Sequence, residues 1–233
     1  MPLAQVPRAI HLKPAADLAE RVLLPGDPHR ALAVAQHLLE GPKMFNHSRG
    51  LWGYTGVAAD GEPLTIQATG MGGPSAAIVC EELIALGARR LVRVGTCGAL
   101  AADLELGSLL IADAALPEDG ASRALGAGAP LASDPALLAG LRGAAGGARS
   151  GLVVSADLFY DPDPDRAARW IAAGALAVEM EAATIFAVAA RHGATAACVL
   201  CVSDLVASRE RIGAEALEEA EKGLGRVGAA AFG

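Results

Sequence analysis

Aromatic residues and lysines are scarce in this sequence of 233 residues. Phe, Trp and Tyr together make up only 3% of it, so an aromatic side chain beside a candidate site carries more information than usual. Lys13, Lys43 and Lys222 are the only lysines among 19 basic residues, and no basic run is longer than Arg89-Arg90. Nucleic-acid-binding faces need clustered positive charge, so this dispersed charge and the net charge of −7 argue against a nucleic-acid partner.

The sequence also has few cysteines and no long apolar segment near its start. Residues 1–20 include Pro, Arg, His, Lys and Asp, a composition that predicts neither a signal peptide nor a membrane-spanning helix. The four cysteines are Cys80, Cys97, Cys198 and Cys201. Cys198 and Cys201 have the spacing of a metal-binding pair, but residues 194–202 favour a strand, where side chains three apart point to opposite faces. We therefore expect reduced thiols in a cytoplasmic protein, with no metal site and no membrane partner.

Short apolar runs alternate with Ala- and Leu-rich helical stretches along the chain. Since 53% of the residues are hydrophobic, the chain can bury a substantial core. The pattern predicts an α/β fold, one domain over residues 1–233, with a mixed, largely parallel sheet covered by helices. The predicted strands are 21–24, 53–58, 64–69, 91–94, 109–112, 152–155, 175–180 and 194–202. The predicted helices are 29–39, 74–86, 135–143, 166–173, 182–191 and 214–227.

Polar or glycine-rich segments follow several of these strands, where α/β sheets collect their ligands. After the first strand, the Gly26 N–H can approach an anion closely, and Arg30 lies in the first turn of the next helix. A tight turn followed by a helix capped by Asp27 explains the same residues. The segment Thr69-Gly-Met-Gly-Gly-Pro-Ser75 implies close backbone approach, either to a ligand or to a neighbouring helix.

Three further segments place charged residues inside or just after apolar strands. Arg93 interrupts an apolar strand, so it needs either a buried anion, with Thr96 nearby, or a position at a sheet edge. Glu179 and Glu181 are two apart and would share one face of a strand, where they could bind sugar hydroxyls. Glu181 could equally begin the next helix. Asp204 follows another apolar run, as either a helix cap or a general acid.

Seven segments occur in the same order as in a known enzyme family. They are Leu24-Pro-Gly-Asp-Pro-His-Arg30, Arg49-Gly-Leu-Trp-Gly-Tyr-Thr-Gly56, Gly70-Met-Gly-Gly-Pro-Ser75, Arg93-Val-Gly-Thr-Cys-Gly-Ala99, Ser155-Ala-Asp-Leu-Phe-Tyr160, Val178-Glu-Met-Glu-Ala182 and Ser203-Asp204. Together they resemble the bacterial, hexameric type of purine nucleoside phosphorylase, in the superfamily that includes uridine phosphorylase and the methylthioadenosine nucleosidases. The resemblance implies the nucleoside phosphorylase fold, a single domain whose central mixed sheet is partly barrel-like and flanked by helices.

The resemblance also assigns residues to the parts of a substrate site. The phosphate-binding set is Gly26, Arg30, Arg93, Thr96 and, from the neighbouring subunit, Arg49. The ribose-binding set is Met180, Glu181 and, again from the neighbour, His11. The base-binding set is Cys97, Gly98, Phe159, Val178, Glu179, Ser203 and Asp204. Asp204 resembles the acid that protonates the purine, and Arg30 and Arg93 the groups that hold the attacking phosphate.

The implied reaction is phosphorolysis of a purine nucleoside, with inorganic phosphate as co-substrate and without a cofactor. The implied assembly is a homo-oligomer, a hexamer built from dimers that share their active sites. Thr96 is closer to the uridine phosphorylases, but the insertion with a Gln-x-Arg pair that reads uracil has no counterpart. Uridine phosphorylase, a methylthioadenosine or adenosylhomocysteine nucleosidase, and a non-catalytic nucleoside-binding protein stay open as alternatives. So do the choice between 6-oxo and 6-amino purines and the assistance of Asp204 by Arg209 or Arg211.

Overall fold

The secondary structure follows the apolar pattern of the sequence closely. In this computed structural model, residues 9–233 are described. The strands found among them are β1 Arg21–Leu24, β2 Glu40–Asn46, β3 Gly53–Val57, β4 Pro63–Gln67, β5 Arg90–Ala99, β6 Leu109–Glu118, β7 Leu131–Ala132, β8 Arg149–Ala156, β9 Ala175–Glu179 and β10 Thr195–Leu205. The helices found there are α1 Pro28–Leu38, α2 Gly73–Leu86, α3 Gly120–Ala124, α4 Pro135–Ala144, α5 Arg166–Ala172, α6 Ala182–His192 and α7 Ala214–Ala230.

Five strands of the single mixed sheet close into a ring. β5 pairs with β10 in parallel, β10 pairs with β6 in antiparallel orientation, and β6, β8 and β9 follow as parallel neighbours. The last residues of β5 then pair with β9 and complete the ring. From β5, the sheet continues outward through β1, β4, β3 and β2, while β7 pairs with β6. The predicted mixed, partly barrel-like sheet is confirmed.

Two large apolar cores lie on opposite sides of the sheet and helices cover each, while a third, smaller cluster includes Val154 of β8, Trp170 of α5 and Ala175 of β9. Side chains of α2 and α6 contribute to one core, and side chains of α1, α4 and α7 contribute to the other. Cys198 belongs to the first core and Cys201 to the second, so the two thiols point to opposite faces of β10, as predicted. Within residues 9–233, every helix is too short or too polar to span a bilayer.

Glycines, prolines and three aspartates fix the ends of the helices, because Asp27, Asp119 and Asp134 cap α1, α3 and α4, and a proline lies at the first or second position of α1, α2 and α4. Gly87 and Gly193 follow α2 and α6 with positive φ, which glycine adopts without steric cost. Asp27 accepts a hydrogen bond from the Arg30 N–H at 2.9 Å, so the predicted cap of α1 is confirmed. The glycines, the prolines and the Asp27 cap act only on residues close to them in the chain, which explains why the sequence predicts these helix ends well.

The structure differs from the sequence prediction where strands are long or irregular. β5 and β6 continue to Ala99 and Glu118, well beyond the predicted 91–94 and 109–112, because the extension of β5 pairs with β10 and β9 and that of β6 pairs with β8 and β7. β2 was not predicted. It contains Gly41 and Pro42 and pairs only with β3, at the end of the sheet, where a proline is tolerated.

Candidate functional site

Four neighbouring parallel strands have their carboxyl ends side by side. We call these strand ends and the loops that follow them the strand-end site. The strands are β4, β1, β5 and β10. The loops after β1 and β4 are bonded to each other, because Thr69 N–H donates to the Pro25 carbonyl at 2.8 Å and Gly70 N–H to the Gly26 carbonyl at 3.0 Å. The first two polar segments of the sequence therefore form one rigid wall of the strand-end site.

Arg93 lies at the centre of this site on β5 and is 3% exposed. Its Nε is 2.7 Å from Glu179 Oε2, and its Nη2 is 2.5 Å from Glu181 Oε2. Its Nη1 is buried and has no hydrogen-bond partner among residues 9–233. The edge position considered for Arg93 is wrong, because β5 has strands on both sides. The carboxylates of Glu179 and Glu181 balance the charge of the buried guanidinium, as the prediction of a buried anion required. Among the described residues, its Nη1 group has no acceptor.

The charges of this cluster shift the pKa values of its members. Burial disfavours the charged guanidinium, but the carboxylates of Glu181 and Glu179 outweigh burial and raise the pKa of Arg93 above its ordinary value. Burial raises the pKa of Glu181, and although Arg93 opposes this, Glu179 adds to it, so the net shift is upward. An excess of negative charge therefore surrounds the one guanidinium, which favours a further hydrogen-bond donor or cation near Glu181.

Glu179 is held entirely by protein donors. Besides Arg93, it accepts hydrogen bonds from the Ser155 hydroxyl, from Glu181 N–H at 2.9 Å and from Ala182 N–H at 3.0 Å. These donors use the acceptor sites that a carboxylate offers. Glu179 thus fixes the orientation of Arg93 and the first turn of α6. Ser155, which accepts from Ala183 N–H at 2.8 Å, is a member of the site without a role in the sequence interpretation.

Glu181 joins two loops of the site. It stands just before α6, beyond the end of β9, so the alternative that it begins the next helix is confirmed and the shared strand is wrong, although both glutamates reach the same guanidinium. Its Oε1 accepts a hydrogen bond from Gly72 N–H at 2.5 Å. Gly72 has a φ of 85°, a conformation that favours glycine. The backbone of the glycine-rich segment before α2 thus packs against the Glu181 side chain. Met180, which precedes Glu181 in the chain, is half-buried.

Gly95 lies directly beneath the guanidinium of Arg93. A Cβ atom at this position would be 2.7 Å from Arg93 Cζ and from Nη2, closer than real contacts allow. A glycine is therefore required here for Arg93 to reach Glu181. Thr96, the next residue, is half-buried on β5. The sequence motif Arg93-Val-Gly-Thr96 contains this glycine, but only the fold reveals its contact with the side chain two residues earlier.

Arg30 is engaged by a residue that the sequence interpretation missed. Its Nε and Nη2 both lie 2.7 Å from Oε1 of Glu221 on α7. The two side chains are 10% and 16% exposed, so the pair is largely shielded from solvent. Glu221 falls on the same helical stripe as Leu217 and buried Leu224, and a charged residue on an apolar stripe is the signal that could have drawn attention to it.

Most of the residues assigned to the base lie together around the end of β10, whereas Glu179 is bonded to Arg93. Asp204 is opposite Gly98 across the β5–β10 pairing, and a Cβ atom at Gly98 would lie 2.8 Å from Asp204 Oδ2. Ser203 Oγ is 2.9 Å from Asp204 Oδ1 and 3.3 Å from the carbonyl oxygen of Cys97. Val178 pairs with Gly98 from the other side. Absence of a side chain at Gly98 therefore leaves room for the Asp204 carboxyl.

Phe159 and Arg211 form the outer part of this group. The Phe159 side chain is 57% exposed, and the Arg211 guanidinium carbon lies 5.6 Å from its ring centroid. The backbone of Arg211 forms an isolated antiparallel bridge with Asp204. Arg209 instead has a positive φ of 61° and is exposed. Of the two arginines considered as helpers of Asp204, Arg211 is thus the one tied to both Asp204 and Phe159.

His11 and Arg49 stand apart from the other assigned residues. His11 Nδ1 is 2.7 Å from Glu82 Oε1, and Glu82 also accepts backbone hydrogen bonds from Ile10, His11 and Leu12. Arg49 has a φ of 59° and is exposed in a short 3-10 turn. Among residues 9–233, neither side chain forms a hydrogen bond or an ion pair with another assigned residue.

The chemistry available at the strand-end site is that of donors and carboxylates. Across residues 9–233, no three His, Cys, Asp or Glu side chains are grouped so that they could hold a metal ion. The arginines offer N–H groups to an anion, Glu181 offers acceptors to hydroxyls, and Asp204 is placed to exchange a proton. Such a set can bind an oxyanion beside a polyol and protonate a leaving group.

Comparisons with known proteins show which family the chain belongs to. The family model of the phosphorylase superfamily matches residues 20–231. A purine nucleoside phosphorylase DeoD-type from Caldanaerobacter subterraneus subsp. tengcongensis is 38% identical over 211 residues, which cover 85% of this chain and 88% of the relative. Proteins of the same name from Jannaschia sp. and Geobacillus kaustophilus are 42% and 40% identical over 85% of this chain, and over 88% and 86% of their own lengths. The chain therefore belongs to the phosphorylase superfamily.

Proposed function

We propose that this protein is a purine nucleoside phosphorylase, which converts a purine ribonucleoside or 2′-deoxyribonucleoside and phosphate to the free base and the sugar 1-phosphate. The observation that carries the proposal is the position of Arg93. Its guanidinium holds Glu181, the carboxylate suited to ribose hydroxyls, and keeps the buried Nη1 donor free for an anion beside it. Relatives that cover 85% of the chain bear the name of this activity.

Phosphate is the nucleophile in the proposed reaction. Its oxygens are held by the Gly26 N–H, by Arg30 and Arg93, by Thr96 and by Arg49 of the neighbouring subunit. One phosphate oxygen forms a bond to C1′ of the sugar while the bond from C1′ to the base breaks. The sugar carries positive charge at this stage, which the adjacent phosphate stabilises. Holding both reactants side by side also removes much of the entropic barrier.

Asp204 is the general acid in this proposal. As the electron pair of the broken bond moves onto the base, Asp204 donates its proton to N7 of the purine and neutralises the charge. Phe159 provides a stacking surface for the base, and Cys97, Gly98, Val178 and Ser203 line the space around it. The support for a purine is this acid at the end of β10 together with the absence of a uracil-reading Gln-x-Arg insertion from the sequence.

We also propose a homo-oligomer, a hexamer made of dimers that share active sites, in which His11 and Arg49 serve the neighbouring subunit. The support is that His11 and Arg49 form no hydrogen bond or ion pair with the other assigned residues among residues 9–233, and that apolar Ile10, beside His11, and apolar Met71 are 65% and 87% exposed. The reaction requires no cofactor in this proposal. A cytoplasmic location is supported by four buried cysteines that are free thiols.

A substrate panel with and without phosphate tests the proposed function. Inosine, adenosine, uridine and methylthioadenosine are incubated with the purified protein, and the free base and sugar 1-phosphate are measured. We expect release of purine bases only with phosphate present, with equal amounts of sugar 1-phosphate. Cleavage of uridine alone would indicate a uridine phosphorylase. Base release without phosphate would indicate a nucleosidase, and tight binding without turnover a nucleoside sensor.

A further inference from the structure

Glu221 occupies the donors of Arg30 that the proposed reaction assigns to phosphate. Both Nε and Nη2 of Arg30 point at the same oxygen, Glu221 Oε1, each at 2.7 Å. Because a guanidinium presents these two donors side by side to a carboxylate or a phosphate oxygen, the two ligands compete for one position. Phosphate can use this face of Arg30 only after the Glu221 carboxylate has moved away.

The surrounding charge makes this competition significant. Within one chain, the carboxylates of Glu179, Glu181 and Glu221 lie against the guanidinium groups of Arg30 and Arg93. A doubly charged phosphate ion that binds Arg30 therefore meets the negative charge of Glu221 unless that carboxylate moves away. Like charges in a shielded site oppose binding. Of the three carboxylates, Glu221 is the most exposed, with 16% of its side chain accessible.

The packing of α7 explains why Glu221 reaches Arg30. Gly225, one turn after Glu221, lies so close to α1 that a Cβ atom there would be 2.9 Å from Val34 Cγ1. Leu224 is buried in the same core as Val34. This close approach brings the first turn of α1, with Arg30, next to the middle of α7. The contact is therefore built into the helix packing and is not an accident of two long surface side chains.

We propose that Glu221 is an internal competitor of phosphate, which holds Arg30 in the phosphate-free protein and thereby sets the phosphate concentration that the enzyme requires. This inference rests on the proposed function, since it assigns Arg30 to phosphate. Glu221 touches neither reactant in this account and acts only through Arg30. Its role is to tune the affinity for one substrate, and the affinity for the nucleoside does not depend on it.

The test compares Glu221→Gln with a matched control on the same helix. Glu218→Gln removes the same charge from a side chain that is 69% exposed and contacts only Lys222 in the described part of the chain. With saturating nucleoside, we expect Glu221→Gln to lower the KM for phosphate by about tenfold and to leave the KM for nucleoside unchanged. Glu218→Gln should change neither value. An unchanged or higher KM for phosphate in Glu221→Gln overturns the inference.

Calorimetric titration with inorganic phosphate, without nucleoside, separates this inference from the proposed function. Glu221→Gln should bind phosphate about tenfold more tightly than the original protein, even if no nucleoside is cleaved. If neither protein binds phosphate, the inference is wrong. In an Arg30→Gln background, Glu221→Gln should not increase the affinity for phosphate, because the guanidinium for which Glu221 and phosphate compete is missing. An equal gain there would show a general charge effect and overturn the inference. Glu221→Ala repeats the measurement if the Gln variant fails to fold.

Discussion

Arg93 Nε lies 2.7 Å from Glu179 Oε2 within the sheet, so a carboxylate from β9 orients the guanidinium at the centre of the site. Glu179 is in turn fixed by the Ser155 hydroxyl and by the backbone at the start of α6. The orientation of Arg93 is thus determined before any substrate arrives. Such preorganisation is what electrostatic stabilisation of a transition state needs, because no reorganisation is required during the reaction.

Replacing Arg93 should damage both the fold and the activity. Arg93→Met leaves the buried carboxylates of Glu179 and Glu181 facing each other without their shared cation, and we expect the free energy of unfolding to fall by about 3–5 kcal/mol. Urea denaturation measures this loss. Glu179→Gln, which keeps the contact of Arg93 with Glu181, should cost clearly less. If Arg93→Met unfolds at the same urea concentration as the original protein, the buried ion cluster does not stabilise the fold.

Gly95→Ala should impair phosphorolysis more than stability. The added Cβ would lie 2.7 Å from Arg93 Cζ, and the guanidinium, at the end of a flexible side chain, can shift away from it while its charge stays beside Glu179 and Glu181. Its donors would then no longer be aligned with Glu181 and phosphate, so we expect kcat/KM to fall by about a hundredfold. Gly143→Ala is the control, because a Cβ there meets no atom within 4 Å. Full activity of Gly95→Ala would show that Arg93 need not be held in place.

Asp204→Asn should separate proton donation from phosphate binding. The amide keeps the size of the side chain but cannot protonate the base, so we expect kcat to fall by about 10²–10⁴-fold, most for 6-amino and other poorly activated purines. Phosphate affinity, measured by titration, should stay the same because Asp204 lies with the base-binding residues around Gly98. An equal loss of phosphate affinity would mean that Asp204 has been assigned to the wrong part of the site.

The hydrogen bonds that Glu82 accepts from residues 10–12 should depend on pH. Burial raises the pKa of Glu82, but the backbone N–H groups of Leu12 and His11 and the His11 ring lower it more, so the net shift is downward. A lowered folded-state pKa means that the contribution to stability is complete above the ordinary pKa of a glutamate. It disappears as the pH falls through the lower, folded-state value. His11 should therefore be held firmly at neutral pH and released in acid.

Hydrogen exchange of the amides at residues 10–12 measures this effect through their protection factors. We expect protection at neutral pH, loss of protection in acid, and weak protection at every pH in Glu82→Gln. Glu81→Gln is the control, because Glu81 contacts His192 at 2.6 Å instead of the N-terminal segment. Strong protection of residues 10–12 in Glu82→Gln would show that other contacts hold this segment.

The sequence predicted those features that depend on neighbouring residues. β1, the β3–β4 hairpin and most helix ends follow from apolar periodicity, glycine and proline, all of which act within a few residues. The closure of the sheet is different, because β5, β10, β6, β8 and β9 meet across long sequence distances. Only the resemblance implied a barrel-like sheet, which the structure confirms. The resemblance itself is confirmed by relatives of at least 38% identity over 85% of the chain.

The contacts of the candidate site were harder to predict than its members. Motif residues such as Arg93, Glu181 and Asp204 stand out because charged side chains end apolar strands. The partner of Arg30, in contrast, is 191 positions away in the chain, and no local pattern identifies Glu221 as that partner. Gly72 and Gly95 were visible as glycines, but their contacts with Glu181 and Arg93 depend on the fold. Sequence therefore indicated Arg93, Glu181 and Asp204 as candidate site residues, and the structure shows the partners, such as Glu221, that hold the charged groups in place.

Mixing of subunits provides the sharpest test of a shared active site. If Arg49 serves the neighbouring subunit, then Arg49→Ala and Asp204→Asn homo-oligomers should each be nearly inactive. A subunit with intact Asp204 regains a complete site only beside a neighbour with intact Arg49. Unfolding and refolding an equal mixture of the two variants should therefore restore about a quarter of the original activity, because half of the random dimers contain one complete site. Activity that stays at the level of the separate variants, or an active monomer, would place Arg49 outside the neighbour's site.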